Sequence, residues 1–198
     1  MQISTNGILE GKTIHLVPME DSHKPELSNV LISPEIWEYT WRTINTSEEI
    51  DHLLTNALEN KSKDSQIPFT IVERASGKII GTTRIGDIDL NNMNVEIGWT
   101  WLSPVFWRTS VNTECKYLLL QYCFEDLKVI RVQFSISGQN LRSQRAVERI
   151  GAKKEGVFRK HRIKPDGTIH DNIFYSIIDT EWPNVKENLH YLLDSKYS

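Results

Sequence analysis

The chain has 198 residues, of which 39% are hydrophobic, 25% charged and 9% aromatic, the profile of one soluble globular domain that can bury a core. No apolar run reaches the ~18–20 residues of a membrane helix, and the opening Met-Gln-Ile-Ser-Thr-Asn lacks a basic-then-apolar leader, so a cytoplasmic protein with no membrane partner is expected. A formal net charge of −3 argues against a general nucleic-acid binder.

In chain order, residues 12–17 (Lys-Thr-Ile-His-Leu-Val) alternate like a half-buried strand that stops at Pro18. Residues 21–32 predict a helix, with Pro25 in its first turn and Pro34 closing it. A second helix starts at Thr46-Ser-Glu-Glu49, a capping-box pattern, and Ile50, Leu53, Leu54, Ala57 and Leu58 form one apolar stripe. Residues 68–74, 79–88 and 95–102 read as three strands with short turns, an antiparallel meander. Residues 113–124 are then helical, 129–137 a strand, and 141–150 a helix ending at Gly151. Two more strands, 155–163 and 172–178, flank Lys164-Pro-Asp-Gly167, and 180–193 form a last helix. The order β-α-α-β-β-β-α-β-α-β-β-α describes an α/β (α+β) domain, a mixed sheet with helices on both faces. Cys115 and Cys123 fall on one predicted helix, roughly 12 Å apart, too far for a disulfide, and two cysteines cannot complete a structural zinc site.

Several chemistries are missing. Gly81 and Gly86 have the Walker spacing, but Asp87 stands where the phosphate-binding lysine belongs. Neither Gly-x-Gly-x-x-Gly nor Gly-x-Ser-x-Gly occurs. Histidines 15, 23, 52, 161, 170 and 190 lack zinc-ligand spacing, so no metal is expected and they read as surface or singly bonded core residues. What remains is a strand–loop–helix unit over 96–114, whose helix start offers free amides to an anion, and a second unit over 137–152. There Asn140 can cap the helix, and Arg142, Arg145 and Arg149 share one helix face.

The two units together resemble the Gcn5-related N-acetyltransferase (GNAT) superfamily, in its ribosomal-protein alanine N-acetyltransferase-like branch. The resemblance runs from Leu9-Glu-Gly-Lys-Thr-Ile-His-Leu-Val-Pro18 to Ile177-Ile-Asp-Thr-Glu-Trp-Pro183. It is most specific in Val95-Glu-Ile-Gly-Trp-Thr-Trp-Leu102, Thr109-Ser-Val-Asn-Thr-Glu-Cys-Lys116, Asn140-Leu-Arg-Ser143 and Arg149-Ile-Gly-Ala-Lys-Lys-Glu-Gly-Val-Phe-Arg159. It implies a single N-acetyltransferase domain over 1–198, with a core of about 10–180 and a C-terminal helix at 180–193.

It also implies acetyl-coenzyme A as co-substrate. The family's pyrophosphate loop falls on residues 107–112, with Trp107 in place of the leading basic or amide residue and Ser110 and Asn112 in place of two glycines. Arg108, Thr109, Ser110, Val111, Asn112 and Thr113 are thereby expected around the pyrophosphate, with Arg108 or Arg145 near a phosphate. Trp101 and Leu102 are expected at the strand end beside the cofactor, and Asn140 on the pantetheine arm. Ser143 would sit near the thiol and bond the departing sulfur, because Val147 replaces the tyrosine that many members use as acid.

The implied reaction is acetyl transfer to a primary amine, of a protein N-terminus or a small molecule, with both substrates held at once. The amine must lose a proton to attack. Glu96 is the expected base, since alternation along Val95-Glu-Ile-Gly98 places it opposite Val95 and Ile97, on the strand whose end receives the thioester. Trp37, Tyr39, Trp41 and Trp99 are expected to wall the acceptor site. The basic run Arg159-Lys-His-Arg162 with Lys164 reads as a solvated hairpin edge or as a contact for an acidic partner or RNA. A homodimer is compatible with the chain. The alternative is a catalytically degenerate member that binds an acyl-coenzyme A or a partner protein.

Overall fold

The structure, a computed structural model, describes residues 7–195; the segment 1–6, read above for a leader, lies outside them. Eight strands form one sheet in the order β1-β2-β3-β4-β5-β6-β8-β7. They are β1 Leu9–Glu10, β2 Ile14–Pro18, β3 Ile67–Glu73, β4 Ile79–Asp89, β5 Asn94–Leu102, β6 Arg131–Ser137, β7 Lys153–Ile163 and β8 Ile169–Ile178. The helices are α1 Lys24–Leu31, α2 Ser47–Ser62, α3 Val111–Gln121, α4 Leu141–Arg149 and α5 Trp182–Ser195. The antiparallel meander is present as β3-β4-β5, and among the described residues the only parallel pair is β5-β6.

Several boundaries differ from expectation for identifiable reasons. The two-residue β1 is too short to leave a period-2 signal, and it pairs with β2 through Leu9–Leu16. The first helix is broken into a 3-10 turn at 21–23 and α1, which opens with Pro25 in its first turn. At α2 the capping box forms: Thr46 Oγ1 accepts from the Glu49 amide (3.2 Å) and Glu49 Oε2 accepts from the Thr46 amide (3.1 Å). The next helix starts two residues early, at Val111, and ends in a π-turn at Tyr122–Asp126. There Glu125 accepts from Trp182 Nε1 (2.9 Å) and from Lys186 (2.7 Å), pinning α5 to the end of α3. Gly151 takes φ +107°, the left-handed C′ position expected after α4.

Apolar side chains collect on two faces. One core lies under α3, α4 and α5, where Phe69, Ile71, Ile85, Ile97, Val132, Phe134 and Ile177 meet the helix residues Leu119, Val147 and Leu189. The other lies between α1, α2 and the β4–β5 strands and holds Leu27, Leu31, Ile50, Leu54, Trp37 and Trp101. Beyond β5 the second face changes character. β6 reads Arg-Val-Gln-Phe-Ser-Ile-Ser, so Val132, Phe134 and Ile136 enter the first core while Gln133, Ser135 and Ser137 stand on the other side.

Candidate active site

β5 and β6 pair only through Asn94–Arg131, Val95–Val132 and Glu96–Gln133. Past Glu96 the two strands part, and the β6-facing backbone of residues 97–102 has no strand partner. The same stretch of β5 carries a bulge. Gly98 pairs with Arg84 and Trp101 with Thr82, so two residues, Trp99 and Thr100, oppose Thr83 alone. Trp99 takes φ +50°, a costly conformation for a bulky side chain. Its indole lies over Gly86, where a Cβ would come within 2.8 Å of the ring. Only a residue without a side chain fits beneath it.

Glu96 stands at the point of divergence, on the face with Gln133, Ser135 and Ser137. Gln133 Nε2 donates to Glu96 Oε2 (3.0 Å), and Glu96 Oε1 leans along the strand to within 3.4 Å of where a Gly98 Cβ would sit. The side chain is buried, at 8% exposure. Burial pushes its carboxyl up to about 7; the Gln133 hydrogen bond and Arg162 oppose the rise, and Asp87 adds to it. Such a group can take and release a proton near neutral pH.

The polar face continues onto β8. Asn172 Nδ2 donates to Ser135 Oγ (2.7 Å), and His170 Nδ1 lies 3.2 Å from Ser137 Oγ. Both side chains are buried, and Asn172 Oδ1 and His170 Nε2 have no partner among the described residues. Trp41 meets His170 edge-on at 5.9 Å, and Lys164 at the β7–β8 turn donates to the Glu38 carbonyl (3.1 Å). The loop after α1 and the β7–β8 hairpin therefore touch on this side of the sheet.

The loop from β5 to α3 brings the next group of expected residues together. Arg108 takes φ +63°, so the left-handed turn falls there, whereas Ser110 is in ordinary helical backbone (φ −66°) and Asn112 lies inside α3. The conformational need for glycine at those two positions is therefore absent. The N-cap Ser110 makes no side-chain hydrogen bond to the α3 amides. The Val111 amide meets Thr109 Oγ1 (3.3 Å), and the Glu114 amide the Ser110 carbonyl (2.9 Å); the other first-turn amides have no partner outside the helix. Thr113 is fully buried and its hydroxyl accepts from Arg149 (2.9 Å), so its side chain is turned inward, away from the loop.

At α4 Asn140 Oδ1 accepts from the Ser143 amide (3.0 Å), the cap expected from sequence. Ser143 is half-buried beside it, and Val147 is packed in the core. The three arginines of this helix separate. Arg142 stacks on Trp107 (3.8 Å to the ring centre), Arg149 turns to Thr113, and Arg145 is exposed. The proposed aromatic wall separates too. Trp37 is core, its ring 5.0 Å from that of Trp101 and its Nε1 donating to the Leu31 carbonyl (2.8 Å), while Tyr39 is exposed. Trp41 and Trp99 are the two brought to the polar face. Trp101 and Leu102 bury their side chains in the two cores, leaving only their backbone at the divergence.

Sequence reasoning missed Gln133, Ser135, Ser137, His170 and Asn172. The alternation of β6 and β8 carried that signal once Glu96 was placed on a face. It also missed Lys116, a residue type that reads as exposed but is 7% exposed here, donating to Thr100 Oγ1 (2.7 Å).

A sheet that parts beside a buried carboxylate, next to a helix start, can hold an acyl donor and a base side by side, an arrangement suited to acyl transfer. The family model described as "Acetyltransferase (GNAT) domain" matches residues 13–153, and the chain belongs to that family. It is an N-acetyltransferase. Among curated relatives it is similar to "Probable N-acetyltransferase YjcK" of Bacillus subtilis (strain 168), with 25% identity over 88% of this chain and 98% of that one. Among solved structures it is similar to a GCN5-related N-acetyltransferase from Brucella melitensis, with 30% identity, TM-score 0.86 and coverage of 98% of this chain and 91% of that one. It shares its fold with Mycobacterium smegmatis RimJ, solved in complex with CoA-disulfide, at 18% identity, TM-score 0.76 and coverage of 93% and 90%.

Proposed function

We propose that the protein transfers an acetyl group from acetyl-coenzyme A directly to a primary amine, of a protein N-terminus or a small molecule, with both substrates held at once. The observation that carries this reading is Glu96, a buried carboxylate with its pKa raised to about 7 where β5 and β6 part. The donor's requirements fit the residues present. A diphosphate needs amide donors and positive charge, which the uncapped α3 start, Arg108 and Arg142 offer. An extended arm needs a slot with unsatisfied backbone, which the divergence of β5 from β6 provides. Asn140 keeps its Nδ2 free of the cap and can donate to that arm.

The bound thioester supplies an activated acetyl carbon. Glu96 takes the proton of the attacking amine, directly or through water, and Gln133 holds its carboxylate in place. The Trp99 and Thr100 amides, at the bulge, are the donors proposed to meet developing negative charge on the acetyl oxygen. Ser143, with Val147 where a tyrosine is absent, is the hydroxyl proposed to bond the departing sulfur. Neither Cys115 nor Cys123 takes part; both are buried, and burial pushes their thiols up.

The test is thiol release from acetyl-coenzyme A across a panel of amines and N-terminal peptides, beside cofactor-induced melting shifts. Turnover on one class of amine names the acceptor. A melting shift with no turnover on any amine would mean a binding module instead.

A further inference from the structure

Lys116 is buried inside α3 and makes no ion pair with any described residue. Burying an amine costs several kcal/mol unless it is bonded, and an apolar side chain would pack α3 on the sheet more cheaply. Its one hydrogen bond goes to Thr100 Oγ1 at 2.7 Å. Thr100 Oγ1 in turn lies 2.8 Å from Thr83 Oγ1, and both hydroxyls lie near the Gly98 carbonyl, at 3.4 and 3.5 Å. These contacts span the bulge: Thr83 is the residue that Trp99 and Thr100 jointly oppose.

The direction of the chain follows from the donors. Lys116 donates, so Thr100 Oγ1 accepts and its own hydrogen is left to go onward to Thr83 or Gly98. On the opposite face Trp99, at φ +50°, is held by packing, over Gly86 and against the second core. A strained backbone persists where its surroundings over-determine it, and here the polar half of that support comes from α3, the helix whose start faces the loop.

We propose that Lys116 is a positioning residue: through Thr100 it locks the β5 bulge and so sets the direction of the Trp99 and Thr100 amides. This rests on the reading above that those amides meet the acetyl oxygen. It makes the seating of α3 and the aim of the oxyanion donors one mechanical unit.

The test uses Lys116→Met and Thr100→Val, both close in volume to the native residues, with Thr100→Ser as the conservative rescue and melting curves to establish folding. In the unliganded protein, hydrogen exchange at residues 98–102 should quicken roughly tenfold in Lys116→Met and in Thr100→Val but stay native in Thr100→Ser. With [1-13C]acetyl-coenzyme A bound, the thioester carbonyl stretch should move back toward its free-solution position in the first two variants, while affinity stays within about threefold. The double variant should be no worse than the worse single one, because both cut the same chain. Native exchange and an unshifted carbonyl band in folded Lys116→Met overturn the proposal. If that variant does not fold, the same outcomes in Thr100→Val decide. Failure of the wild type to bind acetyl-coenzyme A sinks the functional reading alone, since the exchange comparison in free protein still tests the lock.

Discussion

The two halves of the sheet use the same alternation for opposite ends. From β1 to β5 both faces are packed, one under α3 and α5 and the other under α1 and α2, so residues such as Phe69, Ile71 and Trp101 are buried whichever way they point. From β6 to β8 only one face carries a helix-covered apolar core. Val132, Phe134 and Ile136 alternate with Gln133, Ser135 and Ser137, and β8 adds Asn172 and Ser176 to the polar side. Strand order explains where chemistry collects. The seam between the halves is a parallel pair, the sole one among the described residues, it is held at only three positions, and Glu96 stands at its last rung. In the packed half a side chain stabilises by filling space. In the other half polar groups are kept at a cost to stability, which is the signature of a site.

The sharpest way to break this contrast is Glu96→Gln. Turnover should fall roughly 10²–10⁴-fold while acetyl-coenzyme A affinity stays near wild type, measured once an acceptor is in hand. Because the amide carries no charge to desolvate, the variant should also be at least as stable as wild type at pH 8. Near-normal turnover in the folded variant would end the assignment of Glu96. The counterpart in the packed half is Phe69→Ala, which should lose about 3–5 kcal/mol of unfolding free energy through the cavity left behind. Molecules that remain folded should turn over normally. A catalytic defect in Phe69→Ala larger than its folding defect would mean the two halves are not separable.

The Glu96 carboxyl also predicts how stability depends on pH. Its pKa rises from 4.5 to about 7 on folding, so the native state holds a proton that the unfolded chain gives up. The resulting stability is fully present below about pH 4.5 and is lost as pH rises through about 7. The size is on the order of 3 kcal/mol. Denaturant unfolding of wild type and Glu96→Gln across pH 4 to 8 isolates this term, because the other groups are common to both. The gap between the proteins should shift in favour of the glutamine variant as pH climbs, then level off. A constant gap means that water reaches Glu96 and that its charge is not penalised.

Much of this was legible residue by residue. The Thr46 box, the Asn140 cap, the meander and the placement of Glu96 opposite Val95 and Ile97 are local patterns, and local patterns survive in sequence. What sequence could not carry are pairings decided across the molecule. That β5 and β6 meet at three positions and then part is one such pairing, and nothing in Gly-Trp-Thr-Trp announces which residue will turn left-handed. Trp37, Tyr39 and Trp41 alternate in one short loop, yet one is core, one is exposed and one faces His170, because the loop has no period of its own. Lys116 was hidden by its type, since lysine is almost never buried unless bonded.

The smallest effects separate the helix starts, and they bear on the seam directly. At α2 Thr46 occupies the Glu49 amide and at α4 Asn140 occupies that of Ser143, but at α3 the N-cap Ser110 occupies none, and only the Val111 amide meets a side chain, Thr109. Leaving a helix start uncapped forgoes about 1 kcal/mol, and the vacancy is useful only if an anion fills it. Ser110→Pro tests this cleanly, because φ at Ser110 is −66°, the value proline imposes, so one amide donor is removed with little bending. Acetyl-coenzyme A affinity should weaken about tenfold, near 1.4 kcal/mol, with the melting temperature of the free protein little changed. Thr46→Ala should do the reverse, losing about 1 kcal/mol of stability and no affinity. Titration calorimetry beside thermal melts of the three proteins reads both quantities. Unchanged affinity in Ser110→Pro would remove the diphosphate from α3 and leave that uncapped start without a purpose.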